Sequence, residues 1–142
     1  MVRDLLLFAH VLLAITLVGP VSAAASAFAH ERTPERVGGA RTLHRMTRGY
    51  GAASLAVAVL GLALAWRAGW LGSGWVVAST VLFALATAVL FGVVLPLEGE
   101  AVASLERGEA TADRVRDRLR WAAGVYSLLW AAVLWLMVAK PD

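Results

Sequence analysis

Four long stretches of this chain contain no Asp, Glu, Lys or Arg. They are Leu5–His30, Gly49–Trp66, Ala68–Leu97 and Trp121–Ala139. An α-helix needs about 20 apolar residues to cross roughly 30 Å of hydrocarbon, and each stretch reaches or approaches that length. A chain of 142 residues cannot bury four such stretches in one soluble core. The sequence therefore predicts an all-α, polytopic membrane protein with four transmembrane helices.

The spans are predicted at residues 5–29, 46–67, 75–97 and 119–139, in a single domain that covers residues 1–142. The connections between them are short, which favours an up-down-up-down antiparallel bundle. The first apolar run is longer than a usual signal-peptide core, and Asp4 offsets the charge of Arg3. We therefore expect a retained first span.

Basic residues are concentrated between spans one and two and between spans three and four. These two segments carry ten of the thirteen Lys and Arg residues, while the opposite side has only Arg3, Arg67 and Lys140. Because cytoplasmic loops are enriched in Lys and Arg, we predict cytoplasmic loops at residues 30–45 and 98–118 and both termini outside the cytoplasm. The basic surface predicts a bacterial inner-membrane protein that contacts anionic lipid headgroups and has no nucleic-acid partner.

Local signals predict where the helices begin and end. Thr33-Pro34-Glu35 is typical of a helix start, and a break at Gly38-Gly39 is expected before the second spanning helix begins near Ala40. Gly108 suits the C-terminal cap of a third helix that continues to residue 106 or 107, and Thr111 is the expected N-cap of the fourth.

Two further patterns concern the first span. Pro20 cannot donate a backbone hydrogen bond, so a kink is predicted there. Thr16, Gly19, Ala23 and Ser26 lie on one face of the same helix, and small residues let helices approach closely in lipid. This face is predicted to pack against a neighbouring helix.

Ionisable side chains are almost absent from the predicted spans, and His10 is the exception. The absence of intramembrane carboxylates, Lys and Arg argues against an ion-coupled transporter, and no nucleophile–base–acid set indicates hydrolysis. The absence of Cys excludes iron–sulfur and thiolate sites. Three interpretations of His10 stay open: an axial ligand of haem, a hydrogen bond to a quinone, or a neutral side chain bonded to a neighbouring backbone group or to the hydroxyl of Thr80 or Thr87.

Further candidate residues accompany His10. Met137, near the outer end of span four, is a possible second iron ligand. His30 lies about 30 Å from His10 along the helix, and neither His30 nor His44 can share the ligand of His10, although they can form a separate inner site. Arg41, with His44, belongs to a basic stripe on helix two that suits lipid phosphate or haem propionates.

Short motifs near both ends of the chain and at the end of span three carry a family resemblance. Phe8-Ala9-His10-Val11, Leu95-Pro96-Leu97 and the run from Trp135 to Pro141 resemble a bacterial family of predicted integral membrane proteins with four spans and unknown function. That family is distantly similar to the copper-resistance protein D membrane domain and to HemJ-type protoporphyrinogen oxidases. Those proteins place a His early in the first span, so the resemblance implies haem b on His10.

Three functional hypotheses result from these patterns. The first is a membrane protein that binds haem b, with His10 as the metal ligand and Met137, Arg41 and His44 as further cofactor-binding candidates. The second is a cofactor-free accessory or structural subunit that contacts lipid or a partner protein. The third is an oxidoreductase of the HemJ type.

Overall fold

The computed structural model describes residues 1–31 and 33–139, without the side chain of Arg3. Three basic residues of the charge argument therefore fall outside this description: Arg32 and Lys140 entirely, and Arg3 by its side chain. Pro141, which belongs to the C-terminal motif, lies outside it as well. Four helices long and apolar enough to cross a membrane make up nearly all of the described chain. The prediction of an all-α four-helix membrane protein is confirmed.

The four helices are α1 to α4 in chain order. Helix α1 comprises Val2–Leu13, a π-helical stretch Ala14–Val18 and Gly19–Phe28. Helix α2 is Val37–Ala68, preceded by a 3-10 turn at Pro34–Arg36. Helix α3 comprises Gly74–Val89, a π-helical stretch Leu90–Val94 and Leu95–Glu106, and α4 is Asp113–Ala139. We call the end with the α1–α2 and α3–α4 loops the arginine-rich end, and the opposite end the terminal end.

Helices α2 and α3 end in the same way. Gly69 and Gly108 adopt φ values of 76° and 77°, the left-handed conformation that glycine adopts without a steric penalty. After α3, the amides of Gly108 and Glu109 donate to the carbonyls of Leu105 and Ser104. This is a Schellman motif, and it confirms the predicted end of α3 and the role of Gly108.

Two predicted helix starts are wrong. Helix α2 continues through Gly38-Gly39 without a break, since the 3-10 turn at Pro34–Arg36 leads directly into Val37. Helix α4 begins at Asp113, and the carbonyl of Ala112 accepts the first amide hydrogen bonds. Thr111 therefore stands one residue too early to cap the helix, and its buried hydroxyl has no hydrogen-bond partner in the described chain.

Both membrane prolines follow a π-helical stretch. Ala14–Val18 ends two residues before Pro20, and Leu90–Val94 ends two residues before Pro96. A proline leaves the carbonyl four residues earlier without its usual partner, and a locally widened turn is one way in which membrane helices accommodate the change. The irregularity predicted at Pro20 thus takes the form of a π-helical stretch, and α3 repeats it.

The packed face of α1 differs from the predicted one. Val18, Val21, Ala25 and Phe28 join the core, whereas the predicted stripe of Thr16, Gly19, Ala23 and Ser26 is exposed. Size alone does not select the packed face in lipid, because the buried volume of Val21 and Phe28 supplies the dispersion contacts that hold α1 against the bundle.

Gly51 of α2 allows a close contact with α3. A Cβ atom at this position would lie 2.7 Å from Cδ2 of Leu90, which is almost fully buried in the π-helical stretch of α3. In contrast, a Cβ atom at Gly124 of α4 would meet no atom within 4 Å.

We predict that Gly51→Ala lowers the free energy of unfolding by about 1–3 kcal/mol, because Leu90 must move within a packed core. Gly124→Ala is the matched control and should be neutral or slightly stabilising, since alanine favours helix. Unfolding in detergent micelles, followed by far-UV circular dichroism, measures both. Equal stability of the two variants would contradict the close approach.

Candidate functional site

An apolar cavity lies between the helices toward the terminal end. Its volume is about 350 Å³, and residues of all four helices line it. Small-molecule sites commonly occupy about 300–1,000 Å³ and combine apolar walls with a few polar groups. The lining includes His10 of α1, Val57 and Gly61 of α2, Ser79 and Phe83 of α3, Trp130 and Met137 of α4, and Trp70 of the α2–α3 loop. We call this space the terminal cavity.

His10 is fixed in the terminal cavity by a hydrogen bond to the backbone of α2. Its side chain is buried, and Nδ1 lies 2.9 Å from the carbonyl oxygen of Val57. Because a carbonyl oxygen only accepts, Nδ1 carries the proton and donates. The neutral ring then presents Nε2 as an acceptor or metal ligand, and no hydrogen bond to Nε2 occurs among the described residues.

Gly61 makes room for this hydrogen bond. A Cβ atom on Gly61 would lie 2.8 Å from Cε1 and 3.3 Å from Nδ1 of His10, so any other residue would push the ring away. Gly61 follows Val57 by one helical turn, and the glycine thus opens the surface of α2 beside the accepting carbonyl. His10 does not bond to the hydroxyl of Thr80, which donates to the carbonyl of Val76 in its own helix.

One more polar group on the cavity lining, Oγ of the buried Ser79, has no hydrogen-bond partner among the described residues. Nε1 of the buried Trp130 makes no hydrogen bond of good geometry, but the Trp130 side chain lies beside the hydroxyl of Tyr126. Most buried polar atoms in proteins are hydrogen-bonded, so each exception calls for an explanation such as an absent ligand or water. Trp130 also packs edge-on against Phe83, with ring centroids 5.6 Å apart. This contact packs α4 against α3.

The structure divides the predicted site residues between the two ends of the bundle. His10 and Met137 line the same cavity. Arg41 and His44 are sixteen and thirteen residues before Val57 on α2, which places them about 20–24 Å away along the helix axis. Arg41 instead forms an ion pair with Glu106, with Nη2 and Oε1 2.6 Å apart. One ligand of His10 therefore does not reach Arg41 or His44, and His30 is exposed in the α1–α2 loop.

A buried polar cluster lies at the arginine-rich end. The carboxylate of Glu98 is fully buried in α3, where Oε2 lies 3.0 Å from Nδ1 of His44 and Oε1 lies 3.1 Å from the hydroxyl of Thr47. Burial of a carboxylate is costly unless it is paired and hydrogen-bonded, and both partners come from α2. The cluster therefore joins α2 to α3 through polar contacts near the membrane boundary.

Glu98 is not predicted from the sequence, because it comes directly after the charge-free stretch that ends at Leu97 and falls in the predicted cytoplasmic loop at residues 98–118. Helix α3 continues for two more turns, as predicted, and Glu98 faces α2 instead of solvent. The available signal is the first carboxylate of a helical pattern that continues beyond the charge-free stretch. Val57 and Gly61 carried no comparable signal, since their role depends on which helix lies beside His10.

We predict that Glu98→Ala destabilises the bundle by about 1–3 kcal/mol, because His44 loses its partner on α3 and Thr47 keeps only the carbonyl of Leu43 in its own helix. Glu100→Ala is the matched control on the same helix, since Glu100 is exposed and its loss should have little effect. Thermal unfolding in detergent compares the two variants. A smaller loss for Glu98→Ala than for Glu100→Ala would contradict a stabilising cluster.

Comparison with known proteins agrees with this architecture. A search of curated proteins and a search of solved structures returned no match. The family model described as "Predicted integral membrane protein (DUF2269)" matches residues 4–141, which is nearly the whole chain. With its four long apolar helices, the chain belongs to this family of predicted integral membrane proteins of unknown function.

Proposed function

We propose that this protein binds haem b in the terminal cavity, with Nε2 of His10 as the axial ligand of the iron. The observation that carries the proposal is the bond from Nδ1 of His10 to the carbonyl of Val57. Metal-ligating histidines almost always donate their other ring nitrogen to a carboxylate, a backbone carbonyl or water, which fixes the tautomer and the ring orientation. His10 has that arrangement, since Nδ1 donates to the carbonyl of Val57 and Nε2 is the remaining ring nitrogen.

The residues around His10 suit a flat, apolar prosthetic group. Trp70, Phe83 and Trp130 supply aromatic walls, and the rest of the lining is mainly aliphatic. Met137 lines the same cavity, and its thioether is a known second ligand of haem iron. Bound haem would supply one-electron chemistry, while the protein holds the iron through His10 and excludes water with the apolar lining.

The two propionate groups of a haem are negatively charged and need a cation or water as a binding partner. Among the described residues, none that lines the cavity is charged, and Arg41 is too distant for this role. Arg67 is exposed in the last turn of α2, close in sequence to the lining residues Ala65 and Trp70. We therefore assign the propionates to the terminal end, beside Arg67 and solvent, and we withdraw Arg41 and His44 from the haem site.

A second candidate ligand is a quinol, and two observations favour it. The cavity volume of about 350 Å³ is near the lower limit for small-molecule sites, which suits a ring system smaller than a porphyrin. In addition, Ser79 provides an unpartnered donor on the lining, while Nε2 of His10 accepts. A quinol hydroxyl can donate to His10, and a quinone oxygen can accept from Ser79.

Absorption spectroscopy tests the haem proposal. Protein purified after expression with added haem precursor should show a Soret band, and His10→Ala should abolish or shift it. Gly61→Ala should weaken the band as well, because the new Cβ displaces the imidazole from the Val57 carbonyl. Gly124→Ala is the control, since its Cβ meets open space and the spectrum should not change.

Each other outcome selects a different function. A Soret band unchanged in His10→Ala would remove His10 from the site. If no band appears, solvent extraction of the purified protein followed by chromatography identifies a bound quinone, which His10→Ala should remove. Neither cofactor in the wild-type protein would leave the cofactor-free accessory subunit. A HemJ-type oxidoreductase requires, beyond bound haem, rescue of a haem-auxotrophic strain.

A further inference from the structure

A second, shallow groove lies between α1 and α2 near the arginine-rich end. It has a volume of about 420 Å³ and is lined mainly by one face of α2, with a single contribution from α1. The lining includes Leu17 of α1 and Arg45, Met46, Gly49, Tyr50 and Ala53 of α2. We call it the Arg45 groove. It is separate from the terminal cavity, with which it shares no lining residue.

The polarity of the Arg45 groove changes along its length. Arg45 stands at one end, and the charge-free stretch of α2 begins at Gly49 and continues past Ala53. Arg45 and Ala53 are separated by eight residues, or about 12 Å along the helix. The groove therefore passes from a cation at the membrane boundary to apolar surface within the hydrocarbon, with Tyr50 between the two. A lipid molecule has this same order of polar and apolar groups.

Arg45 is free to bind an anion. Several arginines at the same end already pair with acids: Arg36 with Glu31, Arg41 with Glu106, Arg107 with Glu109 and Arg116 with Asp113. No such pair involves Arg45 within the part of the chain that the structure describes. Gly49 and Ala53 have little or no side chain, so the surface of α2 beside Arg45 is recessed. A Cβ atom at Gly49 would meet no described atom within 4 Å.

We infer that the Arg45 groove binds one anionic phospholipid, with its phosphate on Arg45 and an acyl chain along Leu17, Gly49 and Ala53. Charge complementarity favours an anionic lipid over a zwitterionic one, whose own cation competes with Arg45. The guanidinium group can bind two phosphate oxygens at once, which favours arginine over lysine at such a position. This site does not depend on any ligand of His10.

Native mass spectrometry of the full chain tests the inference. The protein is released from nanodiscs that contain equal amounts of phosphatidylglycerol and phosphatidylcholine, and bound lipids are counted. The wild type should retain one phosphatidylglycerol in preference to phosphatidylcholine. Arg45→Gln should reduce that retention about fivefold, the effect of one basic residue at an anionic surface. Gly49→Leu should also reduce it, because the new side chain fills the groove while the charge remains.

Arg118→Gln is the matched control, since Arg118 is an exposed arginine at the same end but lies on α4, outside the groove. Its lipid retention should equal that of the wild type. No preference for phosphatidylglycerol in the wild type would overturn the inference. An equal loss in Arg45→Gln and Arg118→Gln would also overturn it, because the effect would then belong to the basic surface as a whole. Circular dichroism checks that each variant keeps its helices.

Discussion

The absence of water from the hydrocarbon is the constraint from which the rest of this structure follows. Backbone amides and carbonyls must find partners within the chain, so the four charge-free stretches form helices. The prolines in α1 and α3 each follow a π-helical stretch of five residues. The same constraint acts on His10, whose Nδ1 donates to the carbonyl of Val57. One polar side chain in an apolar span thereby becomes a fixed group with a defined tautomer.

The two ends of the bundle use polar residues for different purposes. At the arginine-rich end, Glu98 is satisfied by His44 and Thr47, and the cluster joins two helices. At the terminal end, Oγ of Ser79 remains without a partner among the described residues, beside a cavity. Satisfied buried groups stabilise a fold, whereas unsatisfied ones beside a cavity indicate a place for a ligand. For this reason the proposed cofactor site lies at the terminal end.

Charge and hydropathy along the chain were sufficient to predict the four helices and the C-terminal cap of α3 at Gly108. They were not sufficient for contacts between helices. The carbonyl of Val57 becomes a partner of His10 only because Gly61 lies beside it in space. Likewise, Glu98 and His44 are far apart in sequence, and their contact depends on the register of α2 against α3. The packed face of α1 was mispredicted because small residues occur on both faces of the helix, and only the face that also carries Val21 and Phe28 is buried.

The central claim is that α2 holds His10 with Nδ1 protonated and Nε2 free to meet a ligand. Nitrogen NMR of histidine-labelled protein in lipid bilayers, without added haem, measures this most directly. The histidine signals that disappear in His10→Ala identify the residue. We predict a protonated, hydrogen-bonded Nδ1 and an unprotonated Nε2. A protonated Nε2 with an unprotonated Nδ1 would contradict the claim, because the ring would then offer its free nitrogen to a carbonyl and not to a ligand.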